Sequence, residues 1–233
     1  MPQRFAIYYA PAATDHLWER AAVWLGRDPS TGLPYDGAVA GIDRARLLNL
    51  TQSAGRYGFH ATLKPPMALA PGQDEEGLRE AMQRAAAELE PVPLGKLVIA
   101  DIDGFLALVP ERAENAALQD FAASVVEIFE PFRAPLSPRD RAARASHGLT
   151  PRQEELLDAY GYPYVFDEFR FHMTLTDRLA EEDRSALLQA AQTWFAPVLE
   201  EELTLDRLTL FHEKENKLPF SRMADFPLGR GRE

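Results

Sequence analysis

Two stretches of the chain alternate apolar and polar residues with a period of two. In the first, Tyr57, Phe59, Ala61 and Leu63 alternate with Arg56, Gly58, His60, Thr62 and Lys64. In the second, Phe169, Phe171, Met173 and Leu175 alternate with Arg170, His172, Thr174 and Thr176. Successive side chains of a strand point to opposite faces, so each stretch predicts a strand with one core face and one polar face. Other segments follow a helical period. Leu17, Trp18, Ala21, Trp24 and Leu25 form one apolar stripe, with Thr14 or Asp15 as cap and Gly26 as stop. Similar stripes predict helices over 74–90, 114–130 and 181–195. Thr150-Pro151-Arg152-Gln153 is a helix start, and Gly161 ends that helix. Further strands are expected at 4–9, 94–102, 105–109 and 203–212, with one more over 217–226; Asp103-Gly104 marks a hairpin. Residues 27–54 are rich in turn formers and predict an irregular surface segment.

A helix and then a strand follow each alternating stretch. That order predicts an α+β fold of two similar lobes, polar sheet faces turned to a shared cleft and helices outside. The whole chain, 1–233, reads as one bilobal domain with a basic connector or lid at about 131–160.

Composition narrows the possibilities. A chain of 233 residues with 46% hydrophobic and 26% charged residues has the make-up of a soluble globular protein. Its net charge of −11 argues against long nucleic acid as partner. The absence of cysteine excludes disulfides, thiolate nucleophiles and Cys-ligated metals. No signal-like or membrane-length apolar run is present, so a cytoplasmic location is expected, with no membrane partner. Oligomeric state is left open, a monomer being compatible with the sequence.

Aligned on histidine, both alternating stretches read Phe-His-x-Thr-Leu. Two of the five histidines occupy this one context, as an internal repeat would place them. Residues two apart share a face about 7 Å apart along the strand. One imidazole and one hydroxyl from each copy can therefore reach a common phosphate. Histidine exchanges protons near neutrality, and threonine hydroxyls can donate to non-bridging phosphate oxygens. His60 and His172 are the candidate acid and base, and Thr62 and Thr174 the candidate phosphate holders. The chemistry calls for no metal and no cofactor, and one good ligand per strand is a poor metal site.

The paired motifs resemble those of the 2H phosphoesterase superfamily. The longer strings Tyr57-Gly58-Phe59-His60-Ala61-Thr62-Leu63-Lys64-Pro65-Pro66 and Gly161-Tyr162-Pro163-Tyr164, running on to Thr176, resemble its DUF1045 branch, associated with phosphonate metabolism. The resemblance implies a bilobal fold with the two His-x-Thr pairs facing a central cleft. It implies a cyclic phosphodiesterase acting on a small sugar phosphate such as a ribose cyclic phosphate. Two alternatives share the pattern: RNA-end 2′,3′-cyclic phosphodiesterase or 2′-5′ ligase-like activity, and a protein that binds a phosphorylated metabolite without turnover.

Further candidates surround the motifs. Arg170 and Lys64 fall on the polar faces and are candidate substrate-binding residues, while Tyr57 falls on the core side. Tyr162 and Tyr164 can stack on a substrate or fix a turn. Residues 133–152 hold Arg133, Arg139, Arg141, Arg144, Arg152 and His147 against the single acid Asp140. Arg139, Arg141 and Arg144 are thus expected to set positive charge over a second phosphate. His16 and His212 read as structural or exposed.

Overall fold

The computed structural model describes residues 3–146 and 148–229. Its strands are Arg4–Tyr9 (β1), Ala61–Met67 (β2), Val92–Gly95 (β3), Leu97–Ile102 (β4), Phe105–Pro110 (β5), Met173–Thr174 (β6), Leu203–Leu205 (β7), Arg207–Glu213 (β8) and Ser221–Pro227 (β9). Its α-helices are His16–Leu25 (α1), Arg44–Leu50 (α2), Gln52–Tyr57 (α3), Glu75–Glu88 (α4), Ala116–Phe129 (α5), Pro138–Ala145 (α6), Pro151–Tyr160 (α7) and Glu181–Leu199 (α8).

The class is α+β, as the alternation and helical stripes predict. One antiparallel sheet runs β4-β5-β6-β2-β1-β8-β9, and β3 pairs with β7 in a small second sheet. The two motif strands, β2 and β6, lie side by side in the large sheet. One half grows outward from β6 and the other from β2, and the halves meet at the pair Ala61↔Met173. They are thus continuous, edge to edge. Helix α5 packs on β2, α4 on β8 and β9, and α8 on β4.

Local chemistry explains where the elements lie. Asp15 caps α1 by accepting the Leu17 amide at 2.7 Å, and Gly26 closes that helix in the left-handed region. Thr150 and Gln153 form the expected capping box of α7. The motif residues Phe59, Leu63, Phe171 and Leu175 are all buried in the main core.

Three departures from the expected elements matter. Residues 44–57 form α2 and α3 instead of an irregular segment. The amides of Ser53 and Ala54 at the start of α3 donate to the carboxylate of Asp177, far along the chain, so no local signal announces this helix. The motif strands are also shorter than expected, with His60 just before β2 and His172 just before β6. Third, Gly95 at φ +70° divides the expected strand 94–102 into β3 and β4, which join different sheets. No helix among the described residues is long and apolar enough to cross a membrane.

Candidate active site

A cleft of about 780 Å³ brings together His60, Thr62, His172 and Thr174. The two histidines are held alike. His60 Nδ1 lies 2.8 Å from the Gly58 carbonyl, and His172 Nδ1 lies 2.8 Å from the Arg170 carbonyl. A carbonyl can only accept, so Nδ1 donates in both rings and each neutral Nε2 is left as the proton acceptor. His60 Nε2 is 3.2 Å from the Thr62 hydroxyl. Gly58 is required at its position. It sits at φ +81°, and a Cβ there would lie 2.3 Å from Pro29 Cγ.

Burial pushes the His60 imidazole down to about 4; the Gly58 carbonyl opposes this and His172 adds to it. Burial also lowers His172, against the pull of the Arg170 carbonyl. Both rings are therefore neutral bases at neutral pH. An anionic phosphate would favour the protonated form of either, and repulsion between the rings would keep the second proton off.

Of the other expected residues, Arg144 and Tyr162 line the cleft, whereas Lys64, Arg170, Tyr164, Arg139 and Arg141 do not. Lys64 is turned away by a bulge: Tyr8 opposes Thr62 while the adjacent Ile7 opposes Lys64, so β2 carries one extra residue and the alternation reverses. Its buried ammonium donates to the Val126 carbonyl at 2.9 Å and the Glu130 carboxylate at 2.5 Å. Arg170 is exposed; only residues 173–174 are strand there, so alternation does not carry it to the histidine face. Its carbonyl serves the site instead. Tyr164 is exposed and packs edge-on against Tyr162 with ring centroids 5.4 Å apart. On α6 the stripe Asp140, Ala143 and Arg144 faces the cleft. Arg139 is exposed beside that stripe, and Arg141 pairs with Asp158 at 2.5 Å. His147 lies outside the described residues. His16 is exposed, and His212 bonds Gln3 at 3.0 Å, both outside the cleft lining.

Other residues enter instead. Tyr57 lines the cleft because 52–57 is helical, which removes the strand alternation that put it on the core side. Arg4, Tyr8, Arg133, Tyr162 and Arg178 line it as well. Arg4 and Tyr8 reach the site only through the β1–β2 pairing, which no local pattern reveals. Thr176 is buried and its hydroxyl accepts the Leu106 amide at 2.9 Å, a structural contact. No three His, Asp or Glu side chains come together as a metal-binding group among the described residues.

Residues 62–221 match the family described as "Protein of unknown function (DUF1045)". The match begins just after His60. The chain is 36% identical over 238 aligned residues to a ribose 1,5-bisphosphate phosphokinase PhnN of Janthinobacterium sp. (strain Marseille), covering 98% of this chain and 51% of that protein. It is 33% identical over 216 aligned residues to the PhnN of Laribacter hongkongensis (strain HLHK9), covering 91% and 48%. The chain thus spans about half the length of the curated relatives it matches. A crystal structure of a phosphoesterase superposes with a TM-score of 0.43 at 13% identity, covering 99% of this chain and all of that one. A likeness of that degree decides nothing about activity.

Proposed function

Since the chain belongs to the DUF1045 family, and since one cleft gathers both Phe-His-x-Thr-Leu motifs, we infer that it is a 2H-type phosphodiesterase that opens a small cyclic phosphate. The matched Nδ1–carbonyl bonds carry this reading. They direct two Nε2 atoms, one from each half of the sheet, to proton exchange at one phosphate, once the Thr62 hydroxyl turns from His60 Nε2 to a phosphate oxygen.

In the reaction, a neutral Nε2 takes a proton from water as its oxygen bonds to phosphorus. The P–O bond to one ring oxygen breaks, and the second histidine, protonated on Nε2, delivers its proton to the departing alkoxide. The product is an acyclic phosphate monoester. The hydroxyls of Thr62 and Thr174 donate to the non-bridging oxygens, where charge grows in the transition state. The cleft volume suits a small molecule. The curated relatives are named for a kinase of ribose 1,5-bisphosphate; the half of them that this chain does not match, and this chain, would then act on neighbouring ribose phosphates.

The test is hydrolysis of 2′,3′-cyclic nucleotides, ribose cyclic phosphates and short RNAs with cyclic ends, in the presence of EDTA. His60→Ala and His172→Ala are each expected to lower kcat by roughly 10²–10⁴. EDTA-sensitive turnover that survives both substitutions would sink the mechanism. Preference for the RNAs would favour RNA-end processing, and binding without turnover on any member would favour a sensor.

A further inference from the structure

The positive charge in the cleft is only partly neutralised, and the excess lies toward one end. Arg144 donates to the carbonyls of Gly161 and, at 2.9 Å, Pro66, and it makes no ion pair among the described residues. The acid it feels most is Asp140, whose carboxylate holds the Ser137 hydroxyl at 2.6 Å. Arg4 pairs with buried Glu213 at 2.5 Å, but the same carboxylate also binds Arg56, so one acid serves two guanidinium groups. Arg4 and Arg144 are near enough for Arg4 to disfavour the charge on Arg144, on top of burial. Arg4, Arg56 and Arg144 against Glu213 and Asp140 leave one net positive charge there, in a chain of net charge −11.

Polar donors surround them. Tyr8, Tyr57 and Tyr162 line the same cleft, and Tyr57 and Tyr162 both act electrostatically on Arg144. Burial pushes the Tyr162 phenol up to about 12 and also holds the Tyr8 phenol well above its usual value, so both keep their protons. No described residue takes a hydrogen bond from any of the three hydroxyls, whereas the neighbouring Tyr9 hydroxyl donates to the Thr204 carbonyl at 3.1 Å.

The two arginines of this cluster are set apart from the histidines along β2, while the rings of Tyr8 and Tyr57 reach back to His60, at 3.7 and 6.3 Å between centroids. Arg144 bonds the carbonyl of Pro66, and Phe5, next to Arg4, pairs with Met67; Thr62 pairs with Tyr8 at the other end of the strand. Four residues of strand span roughly 13 Å. Donor contacts of about 3 Å at each end leave about 7 Å between two phosphate groups, on the scale of one sugar.

We propose that Arg4 and Arg144, with the tyrosine hydroxyls, form a second phosphate subsite, and that the substrate is a sugar cyclic phosphate carrying a separate phosphate monoester. The proposal rests on the hydrolase reading for the cyclic end only; the subsite itself is a binding site.

The test compares adenosine 2′,3′-cyclic phosphate with and without a 5′-phosphate. Wild type should prefer the 5′-phosphorylated compound by at least tenfold in kcat/KM, mainly through KM, with the preference falling as salt rises. Arg144→Gln and Arg4→Gln should each cut that preference by about tenfold, and Arg144→Lys should recover part of it. Calorimetry with ribose 5-phosphate, against ribose as control, reads the subsite without turnover: wild type should bind the phosphate, and Arg144→Gln about tenfold more weakly. Thermal melts identify any variant that fails to fold. Weakened ribose 5-phosphate binding with no diester turned over would support the subsite while the hydrolase reading fails. Histidine-dependent turnover with the preference unchanged in both glutamine variants would overturn the subsite, as would wild type that binds ribose 5-phosphate no better than ribose.

Discussion

Tyr8 lies nearly flat against the His60 imidazole, with ring centroids 3.7 Å apart and planes 19° from parallel. The stack follows from register, since Tyr8 is the β1 partner of Thr62, two residues beyond His60. The phenol covers one face of the imidazole and keeps water from it, which disfavours the imidazolium.

Removing that cover should therefore raise the His60 pKa. In Tyr8→Leu it should move from about 4 toward the ordinary value of about 6.5, while Tyr8→Phe should stay near wild type. Proton–carbon NMR titration of the imidazole reads both. An unchanged pKa in Tyr8→Leu would show that other groups dehydrate the ring.

The depressed histidines also make stability depend on pH. An unfolded histidine takes up a proton near pH 6.5, whereas folded His60 does so only near pH 4. Stability is thus fully present above pH 6.5 and falls as pH drops toward 4, by up to about 1.4 kcal/mol per pH unit for His60. His172 and His212 are shifted the same way. The lowered Glu130 and Glu213 carboxylates weaken the fold only below their usual range, so the window above it isolates the histidines. Urea titrations at pH 7.5 and 5 should show the loss, and the His60→Gln, His172→Gln double variant should show a smaller one. Equal slopes would count against buried neutral histidines.

Gly58→Ala should disturb the cleft without altering any atom of His60, Thr62, His172 or Thr174. The strained φ and the clash with Pro29 should cost at least about 1 kcal/mol of stability. They should also displace the carbonyl that fixes His60 Nδ1–H. Nitrogen chemical shifts of the imidazole should then show a mixture of tautomers, and kcat should fall about tenfold or more. A pure Nδ1–H tautomer in this variant would argue that another group holds the ring.

Lys64→Met tests the bulge. Its loss should cost about 1–3 kcal/mol, because Glu130 keeps only Arg133 at 2.5 Å as ion-pair partner. The urea midpoint should drop, and kcat of the folded variant in the proposed reaction should stay within about threefold of wild type. A hundredfold loss of kcat at full stability would return Lys64 to substrate binding.

Periodicity and caps located most helices and strands, because those signals are local: the stripe of α1, the Thr150–Gln153 box, the Asp103-Gly104 turn. They were blind where a partner lies far along the chain, as with Asp177 capping α3. The pairing of Phe-His-x-Thr-Leu singled out four residues that share one cleft. Arg4, Tyr8 and Tyr57 escaped because strand register and the true extent of α3 decide their positions. Lys64 and Arg170 were misplaced for one reason: alternation holds only in a regular strand, and β2 bulges while β6 is two residues long.

The junction between β2 and β6 has a mechanical consequence. Ala61↔Met173 is the pairing at which one half of the sheet meets the other, and each half carries its own histidine. The distance between the histidines thus belongs to this seam and not to either half alone. A phosphate gripped by both Thr62 and Thr174 would span it like a staple, so that occupancy of the cleft and cohesion of the sheet become one linked equilibrium.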